Sequence, residues 1–142
     1  MSSPVSFTTG SCHCGKVQYA LRGDIVSVVN CHCGLCRSLS GTAFTSYVVV
    51  RELNFRVEQG QEFLASYAAT PKATKHFCLA CGTPLFNTNP IDYPTLAMIY
   101  LGTVSTTAEL TPRINVYRES MLPWVGTIDS IKSFSQAAVR GA

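Results

Sequence analysis

Charge is what this sequence has least of. Only 13% of its 142 residues are Asp, Glu, Lys or Arg, against 46% apolar. That excludes a disordered, solvated chain and implies a packed core. The basic residues are scattered singly and leave a mild net charge of +3. Without a basic run, neither nucleic acid nor an anionic membrane is expected as a partner. Long apolar runs are missing too: the densest window, Tyr47 to Val50, is only strand-sized. The segment from Met1 to Phe7 has neither a basic n-region nor an apolar h-region, so no secretory leader is expected. There is no internal repeat, low-complexity tract or linker, and residues 1–142 read as a single zinc-binding domain. GxSxG, HExxH and Walker-type glycine loops are also missing. Asp24, Asp92 and Asp129 fall at turns and need no special role.

What is present alternates with a period of two. In Lys16 to Arg22, Val17, Tyr19 and Leu21 face one way while Lys16, Gln18 and Arg22 face the other, as in a half-buried strand. Further strands are predicted over Ile25–Asn30, Ala43–Val50, Leu53–Glu58, Phe63–Tyr67, Thr74–Phe77, Leu96–Leu101 and Ile114–Tyr117. Short helices are predicted over Cys33–Leu39 and Ser130–Gln136. The class is mainly β with few short helices, its sheets packed on one core and metal at the loop ends.

Seven cysteines fall into three clusters: Cys12-His13-Cys14-Gly15, Cys31-His32-Cys33-Gly34-Leu35-Cys36 and Cys78-Leu79-Ala80-Cys81-Gly82. Without an export signal they belong in a reducing compartment, the cytoplasm, as metal ligands or reactive thiols. Two turns with a cysteine pair each make a closed tetrahedral zinc site from Cys12, Cys14, Cys78 and Cys81. Gly15 and Gly82 directly follow the second ligand of their pairs and let the backbone curl there. Cys31, Cys33 and Cys36 remain, three ligands with an open position, as catalytic zinc is arranged. A second arithmetic stays open, in which the triplet takes one cysteine from either pair. So does a single structural zinc beside redox thiols at Cys31, Cys33 and Cys36. His13 and His32, flanked by ligands, should face away from the metal. His76 reads as a strand-face histidine within reach of the open site, and Trp124 as core or pocket wall.

These motifs resemble the glutathione-dependent formaldehyde-activating enzymes, a family that shares a domain with centromere protein V. Gly10 to Gly15 is similar to its opening motif. Cys31 to Cys36, followed by Arg37 and Gly41, resembles the central one, and Phe77 to Phe86 the third. Leu101-Gly102-Thr103, Glu119-Ser120 and Pro123-Trp124 resemble its C-terminal landmarks. The likeness runs from about Gly10 to Phe134. It implies a β-tent of antiparallel sheets. It also implies a structural zinc on Cys12, Cys14, Cys78 and Cys81 and a catalytic, more labile zinc on Cys31, Cys33 and Cys36. Asn115 stands where many members carry a histidine.

The implied reaction joins glutathione, or another small thiol, and formaldehyde, or a similar small aldehyde, as S-hydroxymethylglutathione: a carbon–sulfur lyase running either way. Three thiolates leave zinc a poor Lewis acid but a good holder of an electron-rich sulfur. A fourth thiolate raises the formal charge to −2, which a cation such as Arg37 would balance. Ser38, Ser40 and Thr42 follow closely as donors. Two competing readings remain, a non-catalytic zinc protein that carries glutathione or another thiol and a protein-interaction module.

Overall fold

The computed structural model describes residues 7–138. Among these residues ten strands form two sheets. β1 (Phe7–Ser11), β2 (Gln18–Arg22) and β5 (Phe55–Gln59) make a three-stranded antiparallel sheet in the order β1-β2-β5. The other seven are β3 (Ser27–Cys31), β4 (Thr45–Arg51), β6 (Leu64–Ala68), β7 (Thr74–Cys78), β8 (Pro84–Thr88), β9 (Leu96–Tyr100) and β10 (Ile114–Val116). They run β10-β3-β4-β9-β8-β7-β6 across the second sheet. All its pairings are antiparallel except β10 with β3, which is parallel. The molecule is therefore mainly β, as expected, with one short helix, α1 (Gly34–Ser40), and several single 3₁₀ turns.

Alternation fails in β4, and its position explains why. The strand Thr-Ser-Tyr-Val-Val-Val-Arg is central and buried on both faces, so it reads as a nearly continuous apolar run. Val48 and Val50 point towards the three-stranded sheet and pack in one core with Val17, Tyr19, Leu21, Ala97 and Ile99. Tyr47 and Val49 point the opposite way and join Cys31 and Tyr100 in a second cluster. Phe55 on β5 bridges the sheets, edge-on to Tyr19 at 5.4 Å and to Phe86 at 4.7 Å. After β4 the chain makes one 3₁₀ turn (Glu52–Asn54) and crosses into the other sheet as β5.

Two strands escape sequence reading. β1, Phe7-Thr8-Thr9-Gly10-Ser11, is short, ends in Gly-Ser and lacks an apolar alternation, and it is held as an edge by pairing to β2. β8 opens with Pro84, tolerated as the first residue of a strand. The helix expected over Ser130–Gln136 does not form. A 3₁₀ segment, Val125–Ser130, ends at Ile131 and the rest is irregular. This stretch buries no residue, so nothing repays the ordering of a helix.

Candidate metal centres

The turn after β1 holds Cys12 and Cys14. Cys78 ends β7, and Cys81 lies in the turn before β8. The cluster therefore joins the two sheets at one end. Its four sulfurs all lie within 4.8 Å of one another, with Cys12 Sγ 3.5 Å and Cys78 Sγ 3.8 Å from Cys14 Sγ. Tetrahedral zinc with bonds of about 2.3 Å separates its sulfurs by about 3.8 Å, so the donor set fits that ion. Gly15 and Gly82 adopt φ of 79° and 78°. Their N–H groups donate back to the carbonyls of Cys12 at 3.1 Å and Cys78 at 2.7 Å. Both turns thus curl through the left-handed region, where a side chain is strained. Thr83 ties them together: its Oγ1 accepts from the His13 N–H at 3.1 Å and lies 3.2 Å from Cys81 Sγ. That hydroxyl, followed by the N–H groups of Cys14 and Thr83, holds the Cys81 thiol down at about 5.

The second cluster is built where β3 meets α1. Cys31 ends β3, Cys33 is the N-cap of α1 and Cys36 sits in its first turn. The Cys33 sulfur accepts from the Cys36 N–H at 3.3 Å, capping the helix with a thiol. Cys31 Sγ and Cys33 Sγ are 3.5 Å apart, and all three sulfurs lie within 4.8 Å. The neighbouring Cys36 thiol is the main influence that brings Cys31 down to about 6, against its burial. Sharing with Cys31 and burial push Cys36 up in turn. A tyrosine supports it from below: Tyr47 Oη donates to Cys36 Sγ at 3.2 Å, accepts from Asn87 Nδ2 at 3.0 Å, and Tyr100 Oη donates to Asn87 Oδ1 at 3.0 Å. Burial, then the charges of Tyr100 and Cys36, raises the Tyr47 phenol, so it stays protonated and donates.

The two clusters differ in what surrounds them. The four-sulfur set packs at a seam between sheets, with Cys12 and Cys78 in the core. The three-sulfur set opens into a cavity of about 350 Å³, lined by Cys31, Cys33 and Cys36 together with Val29, Val49, Leu96, Met98 and Val116 from the sheet. Leu35 and Leu39 of α1, Tyr93 and Tyr117 also line it, and Ser27, Asn87, Thr88 and Asn89 add uncharged polar groups.

Other residues singled out in the sequence lie elsewhere. Arg37 Nη1 donates to the backbone carbonyls of His32 at 2.6 Å and Ser120 at 2.7 Å, tying α1 to the segment after β10. Ser40 and Thr45 both donate to the Cys36 carbonyl, and Ser38 to that of Leu35, so these hydroxyls hold α1 and do not line the cavity. His13 is exposed. His32 is buried, its Nε2 3.1 Å from Asn115 Oδ1, away from the sulfurs. Asn115 also accepts from Asn30 and does not line the cavity. His76 stacks on Phe86 at 4.2 Å and bonds Thr88, outside both clusters. Trp124 is neither core nor cavity wall: it is 50% exposed, because the segment that carries it lies on the surface. Sequence reading missed the Tyr47–Asn87–Tyr100 relay, whose only signal was the period of two that puts Tyr47 and Val49 on one face.

The sequence pattern of the glutathione-dependent formaldehyde-activating enzymes matches residues 7–120. The chain belongs to that family. Proteins of Aspergillus flavus and Aspergillus oryzae, provisionally named as glutathione-dependent formaldehyde-activating enzymes, are each 28% identical to it over 93 residues. The aligned stretch is 63% of this chain and 49% of each relative, so the chain spans about half their length. A crystal structure of a Rhodobacter sphaeroides protein shares the fold, with a TM-score of 0.60, 21% identity and coverage of 76% of this chain and 99% of that one. Among its described residues this member of the family has two sulfur clusters able to hold metal, and Cys31, Cys33 and Cys36 line a cavity.

Proposed function

We propose that this protein is a carbon–sulfur lyase-type enzyme, zinc-dependent and cytoplasmic, that makes or breaks S-hydroxymethylglutathione or a similar thiol–aldehyde adduct. The observation that carries this reading is the asymmetry of the clusters: four sulfurs gathered where the two sheets meet, with Cys12 and Cys78 buried and Cys14 exposed, and three facing a cavity. On this reading residues 1–142 work as one domain. Cys12, Cys14, Cys78 and Cys81 hold a structural zinc, and Cys31, Cys33 and Cys36 a catalytic one. Bound there, zinc would supply an open position at which a thiol ionises.

The chain's own groups support the rest. The Tyr47 hydroxyl donates to Cys36, spreading the negative charge that three thiolates gather. The apolar walls exclude bulk water and keep the reactants together. In the forward direction the sulfur adds to the carbonyl carbon, a C–S bond forms, and the thiol's proton ends on the former carbonyl oxygen. No oxidant or reductant is consumed. Arg37, already engaged with two carbonyls, would act by orienting α1, and its positive charge lies one residue from Cys36.

Two serine substitutions separate the roles. Cys33→Ser keeps a good N-cap for α1 while removing a soft donor, so the fold should persist with one metal per chain and thiol capture should be lost. Cys81→Ser should unfold or strongly destabilise the protein, because structural zinc contributes folding free energy directly. Metal analysis and thermal unfolding of both variants check this, and identical behaviour of the two would defeat the division of roles. Adduct formation followed with and without protein then decides the chemistry. Glutathione retained with no gain in rate would make the protein a carrier.

A further inference from the structure

The wall of the cavity carries no Asp, Glu, Lys or Arg. We infer that the adduct handled at the three-cysteine cluster bears an uncharged alkyl or aryl group that fills this cavity, an inference that rests on the thiol-adduct reading above. The strand register gives the cavity its direction. Cys31 pairs with Thr45, Val29 with Tyr47 and Ser27 with Val49, while Tyr47 and Val49 pair with Tyr100 and Met98 on β9. Ser27, Thr88 and Asn89 add uncharged polar atoms to the wall, and the Tyr47 hydroxyl and Asn87 stand at the sulfur end. Beyond them come rows of Val29, Val49, Met98 and Leu96. Cys31 to Ser27 is four residues of strand, on the order of 13 Å, so the apolar floor extends well past one sulfur and one carbon atom.

Glutathione has two carboxylates and an ammonium group. In this cavity those charges would lose water and meet no side chain of opposite charge, which is unfavourable. Three cations of neighbouring elements are already engaged, while Arg51 and Arg113 are exposed and do not line the cavity. Arg37 donates to two carbonyls, the Lys75 ammonium donates to the Leu39 carbonyl at 2.6 Å, and Lys72 pairs with Asp92 at 3.3 Å. Arg118, exposed beside Tyr117 at the mouth, offers charge only outside the cavity. Val26 and Leu35, exposed on the rim, are surface that such a group would cover. The group has two sources, the body of the thiol or the substituent of the aldehyde.

Two readouts on cobalt(II)-loaded protein test this. Sulfur-to-metal absorption bands report thiol ligation, and displacement of Nile red reports filling of the cavity. If the thiol is the source, 1-hexanethiol binds roughly tenfold or more tightly than mercaptoethanol, and more tightly than glutathione. If the aldehyde is the source, hexanal in place of formaldehyde tightens mercaptoethanol binding by a similar factor. Met98→Glu should erase the gain. Should that variant not fold, Leu35→Glu on the exposed wall should reduce it. Glutathione binding best, or no gain from either hexyl compound, overturns the inference and leaves the thiol reading intact. Nile red displaced by hexanal with no thiol altering the bands overturns the thiol reading and leaves the cavity's selectivity standing.

Discussion

A hydroxyl on Tyr47 links Cys36 to Asn87 and, through it, to Tyr100. All three side chains of the relay are buried, so their polar atoms depend largely on one another for hydrogen bonds. Tyr47→Phe leaves the Asn87 amide without its acceptor and should cost about 1–3 kcal/mol. Tyr100→Phe strips the other side of the same amide. Because both act on one network, the double variant should lose less than the sum of the singles, by about 0.5 kcal/mol or more. Urea unfolding of the four proteins measures this, and simple additivity would show that the hydroxyls act independently. Cys33 illustrates the same scale differently. One sulfur both caps α1 and joins the three-thiol cluster, so one position serves the helix and the candidate metal site.

At the scale of the element, β9 shows how a strand serves two masters. Ile99 is fully buried in the core between the sheets, while its neighbour Met98 faces the cavity and is only partly buried. Ile99→Ala should therefore cost about 2–5 kcal/mol. Met98→Ala, whose side chain borders open space, should cost less than half as much while changing which ligands the cavity accepts. Chemical denaturation of the two variants gives the comparison, and equal losses would mean that the cavity face is packed like the core. The helix α1 makes the same point from outside the sheet. It buries no residue completely, yet Arg37, Ser40 and Thr45 pin it by side-chain-to-carbonyl bonds. Those bonds hold Leu35 and Leu39 over the cavity.

For the whole molecule, sheet-to-sheet packing and the four-cysteine cluster both attach the three-stranded sheet to the rest, beside bonds from Thr8 and Thr9 to Thr106 and Ser105. Removing metal with a chelator should release the turn after β1 from β7 and β8, and so destabilise the three-stranded sheet first. Hydrogen exchange should accordingly rise in β1 and β2 before β9. Alkaline pH tests the other attachment. Tyr19 is buried between the sheets, its hydroxyl 2.7 Å from Thr103 Oγ1. Burial pushes its phenol from 10.0 up to about 12. Folding thus favours the neutral phenol. This contribution is complete below the unfolded value and is lost as pH rises from about 10 through about 12, up to about 3 kcal/mol in all. Tyr47 and Tyr100 are raised by burial in the same direction. Tyr19→Phe should consequently flatten part of the fall in melting temperature over that interval. An unchanged slope would mean that Tyr19 is not titrating between the sheets.

Spacing alone divided the cysteines into two pairs and a triplet, because gaps of two and three residues place sulfurs on one turn wherever that turn lies. The fold then brought the two pairs together. The strands most easily read, such as the one with Val17, Tyr19 and Leu21, were those with one wet and one dry face. Reading failed where pairing decided the outcome. β1 is a strand because β2 lies beside it, and β10 runs parallel to β3 through a contact distant in sequence. The cavity and its relay were invisible for the same reason. Tyr47, Asn87 and Tyr100 stand on three strands and meet only through the register of β4, β9 and β8. Ligand identity is a local property of the chain. Which ligand cluster is closed and which opens onto apolar surface depends on what the rest of the fold packs against it.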